Sequence, residues 1–267
     1  MPPITATQRV LVNQFMAVTG VPEKIAQKLL KASAWKIDQA TDSYFASNGA
    51  APNDKGKENL EKLFGSYRET GDEAEIVGVN GTMKYLTDLG VDLENASMLV
   101  PLEIIQAPAL GEITKEGFVK GWKAIRADTL AKQKAHVASQ INQLASDNAL
   151  FKRVYRHVFV CARDKGQKAL PLENAITYWE ILFAPPGKTL ATSSTNWAEL
   201  WIEFLNAKWT KSVNKDMWNQ TLEFLQKATE DELLSFWSED GAWPGVIDDF
   251  VGYVKTKRGA GERMETD

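Results

Sequence analysis

The chain has 267 residues, is 44% hydrophobic and 25% charged, and carries a formal charge of −4, a composition suited to one large folded domain or a small one plus a medium one. The negative balance argues against nucleic-acid partners, which need a basic footprint, and no stretch reaches the ~18–20 apolar residues of a membrane span. The single cysteine, Cys161, excludes an intramolecular disulfide. Met1-Pro2-Pro3-Ile4-Thr5 lacks the basic start and apolar run of a signal peptide, so a reducing intracellular compartment, cytoplasmic or nuclear, is expected.

Residues 5–47 are predicted to form three short helices. Val10, Leu11, Phe15 and Met16 make the apolar face of the first. Thr19-Gly20-Val21-Pro22 breaks it, and Pro22 suits the first turn of the second. There Ile25, Ala26, Leu29 and Leu30 share one face. Ser33-Ala34-Trp35 leads into the third, striped by Ile37, Ala40, Tyr44 and Phe45. Residues 48–57, rich in Asn, Gly, Pro and Lys, read as a flexible linker and a domain boundary.

From 58 to 255 the apolar spacing is helical nearly throughout. Stripes recur at Leu60, Leu63, Phe64 and Tyr67, at Phe118, Trp122 and Ile125, at Val154, Tyr155, Val158 and Phe159, and at Trp197, Leu200, Trp201 and Phe204. Seven of the nine tryptophans fall from Trp179 onward, which predicts a core anchored in the C-terminal half. Short extended pairs are expected near Val77-Gly78-Val79 and Ala169-Leu170-Pro171, but no alternating strand pattern occurs. Residues 256–267 are polar and read as a disordered tail. The fold class is therefore all-α, in a small three-helix unit and a larger helical domain.

The chemistry-bearing residues are sparse. His157 precedes Cys161 by four residues, so the two share a helix face, as a Cys–His dyad would. Their setting is apolar, whereas a nucleophilic thiol needs an electropositive, accessible one. His136 is the only other histidine, too few for zinc. Helix–loop–helix pairs invite a calcium reading, but a loop starting at Asp164 places Gly166, Lys168, Leu170 and Leu172 at the ligand positions and Ala175 at the twelfth. One starting at Asp72 places Ala74, Ile76 and Gly78 there; neither supplies the oxygens. No phosphate-cradling glycine loop follows a strand. No metal, cofactor or catalytic residue is expected. The acids Asp216, Asp240, Asp248 and Asp249 remain, either as solvated acids of helix starts and turns or as a recognition surface. The segment Asp240-Gly241-Ala242-Trp243-Pro244-Gly245-Val246-Ile247-Asp248-Asp249-Phe250 sets acids at the edge of an apolar frame, as a recognition surface does, but on these residues alone solvated acids are the favoured reading.

Asn214-Lys215-Asp216-Met217-Trp218-Asn219, Asp240-Gly241-Ala242-Trp243-Pro244 and Ile247-Asp248-Asp249-Phe250 together resemble the C-terminal domain of the defective-in-cullin-neddylation family. Phe151-Lys152-Arg153-Val154-Tyr155, Gly166-Gln167-Lys168-Ala169-Leu170-Pro171 and Leu89-Gly90-Val91-Asp92 extend the similarity, in one order, over 58–253. The first three helices are similar to a ubiquitin-associated (UBA) domain. The resemblance implies a larger domain of EF-hand-like helix pairs without calcium ligands. It implies a non-catalytic scaffold that holds a cullin's C-terminal winged-helix region and the neddylation conjugating enzyme together, beside a RING-bearing ligase subunit.

The same resemblance assigns residues. Asp216, Ala242 and Asp248 would meet basic residues of the cullin. Met98, Pro101, Leu102, Ile105, Leu110, Gly111, Ile113, Cys161 and Ile181 would form an apolar pocket for the N-acetylated N-terminus of the conjugating enzyme. Ile105, Ile113 and Cys161 depart from the bulkier aromatics common there, and Pro101 interrupts a predicted helix. Thr19, Gly20, Val21, Tyr44 and Phe45 would bind ubiquitin, although Thr19-Gly20-Val21 is not the usual Met-Gly-Phe/Tyr loop. Two rival readings are a ubiquitin-binding adaptor with an unrelated client and a thiol enzyme using Cys161 and His157.

Overall fold

The computed structural model describes residues 4–46 and 55–264, and the chain divides into two compact units, 1–59 and 60–267. In the first lie α1 (Ala6–Thr19), α2 (Glu23–Ala32) and α3 (Ile37–Ala46). Thr5 and Gln8 form a reciprocal capping box that fixes where α1 starts. Gly20 ends α1 at φ +69°, a left-handed conformation that glycine adopts without steric cost, and its N–H reaches the Met16 carbonyl at 2.8 Å. Val12, Phe15, Ala26, Leu29, Leu30 and Ala40 form the small core. Of the predicted α1 stripe, Phe15 is buried and Leu11 and Met16 pack on this core, but Val12 is buried in place of Val10, which is 55% exposed.

The next elements are α4 (Lys55–Gly65), β1 (Ile76–Val77), α5 (Val79–Leu89), a 3₁₀ turn (Ala96–Met98), α6 (Leu99–Ile104), β2 (Ile113–Thr114) and α7 (Lys115–Ala124). Then follow α8 (Leu130–Gln143), α9 (Asn148–Cys161), β3 (Ala169–Leu170), α10 (Leu172–Phe183), α11 (Trp197–Lys208), β4 (Val213–Asn214), α12 (Lys215–Glu230) and α13 (Gly245–Met264). The strands are two residues each, and they pair antiparallel in twos: Ile76 opposite Thr114 and Val77 opposite Ile113, then Ala169 opposite Asn214 and Leu170 opposite Val213. Each strand sits in a helix–loop–helix connection, so the paired loops give two EF-hand-like units. Thr114 and Asn214 serve twice. Each ends its strand and caps the following helix through its side chain, to the Gly117 N–H at 3.1 Å and the Met217 N–H at 2.8 Å.

Two extended pairs were foreseen at β1 and β3; β2 and β4 were not. The linker reading of 48–57 overlaps α4, which begins at Lys55, and the remainder of it lies outside the described residues. The disordered tail expected over 256–267 is corrected as far as Met264, because α13 runs on to that residue. Polar side chains hold it: Lys257 pairs with Glu203, and Arg258 donates to the Glu232 carbonyl at 2.8 Å while lying over the Trp197 ring. Pro101 does not break a helix. It falls in the first turn of α6, where a missing N–H is tolerated. No described helix is long and apolar enough to cross a membrane.

Each EF-hand-like unit has its own core. The first gathers Leu60, Phe64, Tyr85, Leu102, Ile105, Phe118 and Trp122. There α7 crosses the end of α6 at backbone distance, since a Cβ on Gly117 or Gly121 would stand 2.2 Å from the carbonyl oxygen of Ile105 or Ile104. The second core is built on aromatic rings. Trp218 is stacked between Tyr155 (4.7 Å, 23°) and Trp179 (5.1 Å, 13°). All three are fully buried, so their polar atoms must find partners inside. The Tyr155 hydroxyl donates to the Trp218 carbonyl at 2.6 Å and accepts from Trp179 Nε1 at 2.8 Å, while Trp218 Nε1 donates to the Tyr155 carbonyl at 2.9 Å.

Tyr155→Phe removes one oxygen and strands two buried groups, the Trp179 N–H and a Trp218 carbonyl bond. We expect a stability loss of about 1–3 kcal/mol in urea unfolding, with far-UV circular dichroism unchanged.

Candidate functional site

The acidic segment rests on an aromatic frame. Trp243 meets Phe224 of α12 edge-on at 5.4 Å and Phe236 at 6.2 Å, and Phe224 also meets Phe250 of α13 at 5.9 Å. Ala242, flanking Trp243, stays exposed. Pro244 leads into α13, and its carbonyl accepts from the Ile247 N–H at 2.8 Å. That entry puts Asp248 in the first turn of α13, half-buried, and Asp249 beside it in solvent. Asp216 stands exposed in the first turn of α12, where Asn214 already caps the helix. A carboxylate there is favoured by the helix dipole but is not needed to close the helix end. Asp216 and Asp248 therefore occupy the first turns of two helices that pack through Phe224 and Phe250.

Asp248 has a partner that sequence reasoning passed over. Trp237 Nε1 donates to its Oδ1 at 2.9 Å, and Lys255 Nζ lies 4.4 Å from the centre of the same indole ring. The only sequence signal for Trp237 was its membership of an aromatic cluster, which marks a core as readily as a site.

The nine pocket residues fall into two groups. Pro101, Leu102, Ile105, Ile113 and Cys161 are buried, whereas Met98, Leu110, Gly111 and Ile181 are half-buried. Leu102, Ile105 and Ile113 belong to the core of the first EF-hand-like unit, and Ile181 packs on that of the second. Met98 and Leu110 pack on both, so they sit at the seam between the two cores. Gly111 lies against Val79 of α5, to which an added Cβ would come within 2.8 Å. Val79 and Met83, one turn apart on α5, are 61% and 46% exposed, and the sequence analysis did not single them out for the site.

In the small unit the predicted residues converge. The Thr19 hydroxyl donates to the Phe15 carbonyl at 2.6 Å, and the Tyr44 hydroxyl donates to the Thr19 carbonyl at 3.4 Å. Tyr44 also meets Phe15 edge-on at 5.9 Å, and Val21 packs on the same core. The loop after α1 and the end of α3 thus form one surface. The Phe45 side chain lies outside the described residues.

The thiol-enzyme reading finds no poised nucleophile. Cys161 is 3% exposed, and its thiol donates to the Val158 carbonyl at 3.7 Å. Burial pushes its pKa up to about 12, so the thiol is protonated near neutral pH. His157 turns to another neighbourhood. Burial lowers its pKa, with the carbonyls of Ala107 and Leu102 acting in the opposite direction, and its Nε2 has no hydrogen-bond partner among the described residues. Among the described residues no group of three or more His, Cys, Asp or Glu is placed to hold a metal ion.

Alkylation of Cys161 in the native protein should be slower than in urea by more than about a hundredfold, given a thiolate suppressed by some three pH units; mass spectrometry of timed iodoacetamide reactions measures it. His157 sets a pH dependence. Its folded pKa lies below the unfolded value of about 6.5, so on acidification the unfolded chain takes up the proton first and stability falls as pH drops below about 6.5. His157→Gln should weaken that fall when urea midpoints at pH 7.5 and 5.5 are compared, without abolishing it, because burial also lowers the His136 pKa.

Residues 132–253, which hold Asp216, Ala242 and Asp248, match a family model described as cullin binding, and residues 9–51 match a UBA-like domain. The chain is 42% identical to Defective in cullin neddylation protein 1 of Pyricularia oryzae, over 99% of each chain. It is 31% identical to the protein of the same name from Yarrowia lipolytica, over 91% of this chain and 95% of that one. With DCN1-like protein 5 of Rattus norvegicus it shares 32% identity over 81% of this chain and 87% of the other. The chain belongs to the defective-in-cullin-neddylation family.

Proposed function

We propose that this protein promotes the neddylation of cullins as a non-catalytic scaffold. The observation that carries the reading is the trio Asp216, Ala242 and Asp248: two carboxylates on the first turns of packed helices and a small exposed side chain on the same aromatic frame, all within the segment that matches the cullin-binding model. Carboxylates in that setting accept charge-assisted hydrogen bonds from Lys or Arg of a cullin's winged-helix region. Ala242 leaves room for the partner's backbone to approach.

A second contact is with the conjugating enzyme. Its N-acetylated N-terminal Met carries no charge to desolvate, so it suits an apolar seam. Met98, Leu110, Gly111 and Ile181 offer surface there, while Leu102, Ile105, Ile113 and Cys161 form its floor. With both partners held beside the RING-bearing ligase subunit, the thioester-bound modifier is brought near the acceptor lysine of the cullin. The protein's contribution is then proximity and orientation, which agrees with a buried, protonated Cys161 and a His157 that does not serve it. The Thr19, Gly20, Val21 and Tyr44 surface of the UBA-like unit adds ubiquitin as a further ligand.

Calorimetry with a cullin C-terminal fragment tests the central claim. The native chain should bind, and Asp216→Ala with Asp248→Ala together should weaken binding by at least about thirtyfold while the chain keeps its far-UV circular dichroism and a cooperative thermal transition. Absence of native binding to a competent fragment, with ubiquitin still bound, would instead identify an adaptor with another client.

A further inference from the structure

We propose that Trp237 is the positioning residue for Asp248, fixing the carboxylate that the cullin reading above requires. The inference rests on that reading and adds to it a residue that touches no partner. Asp248 is half-buried at the start of α13. A free carboxylate there would rotate about its side-chain bonds, and a partner would bear the entropy of stopping it. The indole N–H removes that freedom: Trp237 Nε1 stands 2.9 Å from Oδ1. It is the carboxylate, not the helical backbone of Asp248, that lacks a further hydrogen bond among the described residues: one oxygen is held by the protein, and Oδ2 remains for a partner's cation.

The donor is itself held in place. The Trp237 backbone N–H bonds the Leu234 carbonyl at 3.0 Å, and its ring packs on the core of the second EF-hand-like unit. The Lys255 ammonium covers the ring at 4.4 Å from its centre. Asp248 and Lys255 are seven residues apart, two turns along one face of α13, so the indole lies along that face and is gripped at both ends. Asp216 has no comparable clamp: its helix is capped by Asn214, and no described hydrogen bond fixes its carboxylate. The two acids therefore differ in kind, with Asp248 pre-set and Asp216 adaptable. A pre-set acceptor discriminates by direction, which favours a partner cation that meets Oδ2 along one line.

A double-mutant cycle read by calorimetry with the cullin C-terminal fragment tests this. Trp237→Phe keeps an aromatic ring under Lys255 and removes the N–H. It should weaken binding by about five- to tenfold in the native background and leave it unchanged in the Asp248→Ala background. Equal losses in both backgrounds would mean that Trp237 acts through general packing, and no loss in the native background would mean that Asp248 needs no clamp; either result overturns the proposal. If Asp248→Ala itself binds like the native chain, the cullin reading of that residue fails first and the proposal falls with it. Should Trp237→Phe lower the thermal midpoint, a chain carrying benzothienylalanine at position 237, which keeps the bicyclic shape and lacks only the N–H, must reproduce the same pattern.

Discussion

The stack of Trp218 between Tyr155 and Trp179 is the interaction on which the larger unit depends. It joins α9, α10 and α12 at one point and leaves none of its three polar atoms without a partner. Buried rings of this size bring large apolar area, but a buried N–H or O–H without a partner would cancel much of that gain. Here the Tyr155 hydroxyl and the backbone carbonyls of Tyr155 and Trp218 supply the partners. The arrangement also sets the rotation of α12, and with it the side on which Asp216 emerges. From Trp218 the ring contacts pass outward through Trp179 and Trp201 to Phe250, and on through Phe224 to Trp243 and Phe236, so the acidic surface inherits its geometry from the core.

Function and fold therefore divide along polarity. In the proposed reading the aromatic frame provides stiffness, and the acids at its edge provide recognition. No step of bond chemistry falls to the chain in this account, which suits a protein whose single thiol is buried and whose histidines are both pushed toward neutrality by burial. The antiparallel pairs β1–β2 and β3–β4 hold the paired loops together through the backbone. Backbone hydrogen bonds between Val77 and Ile113, and between Leu170 and Val213, occupy the place where a calcium-binding pair would also be bridged.

Much of this was legible in the sequence because helices announce themselves locally. The stripes of Val154, Tyr155, Val158 and Phe159, or of Trp197, Trp201 and Phe204, recur at a period that only a helix satisfies. The misses share a cause. β2 and β4 are two residues long, and what makes them strands is a partner some forty residues away, which no local pattern encodes. In α1 Val12 rather than Val10 is buried, because apolar residues occupy both sides of that helix and hydropathy alone does not choose between them. The end of α13 was misread because its polar residues look solvated until Glu203, Glu232 and Trp197 are placed beside them. Of the proposed site, the acids are the part that motif order singles out; the Trp237 N–H on Asp248 is not legible, since an indole in an aromatic run carries no sign of which way its nitrogen turns.

Met98 and Leu110 pack on the cores of both EF-hand-like units, so neither unit alone defines the surface they present. Their spacing is a property of how the two halves are set against each other, much as the gap of a vice depends on both jaws. A substitution deep in either half, at Trp122 or at Phe159, alters that spacing without approaching the surface. The apolar seam thus reports on the integrity of the entire larger unit, and a partner that recognises it distinguishes the fully assembled domain from one in which either half has loosened.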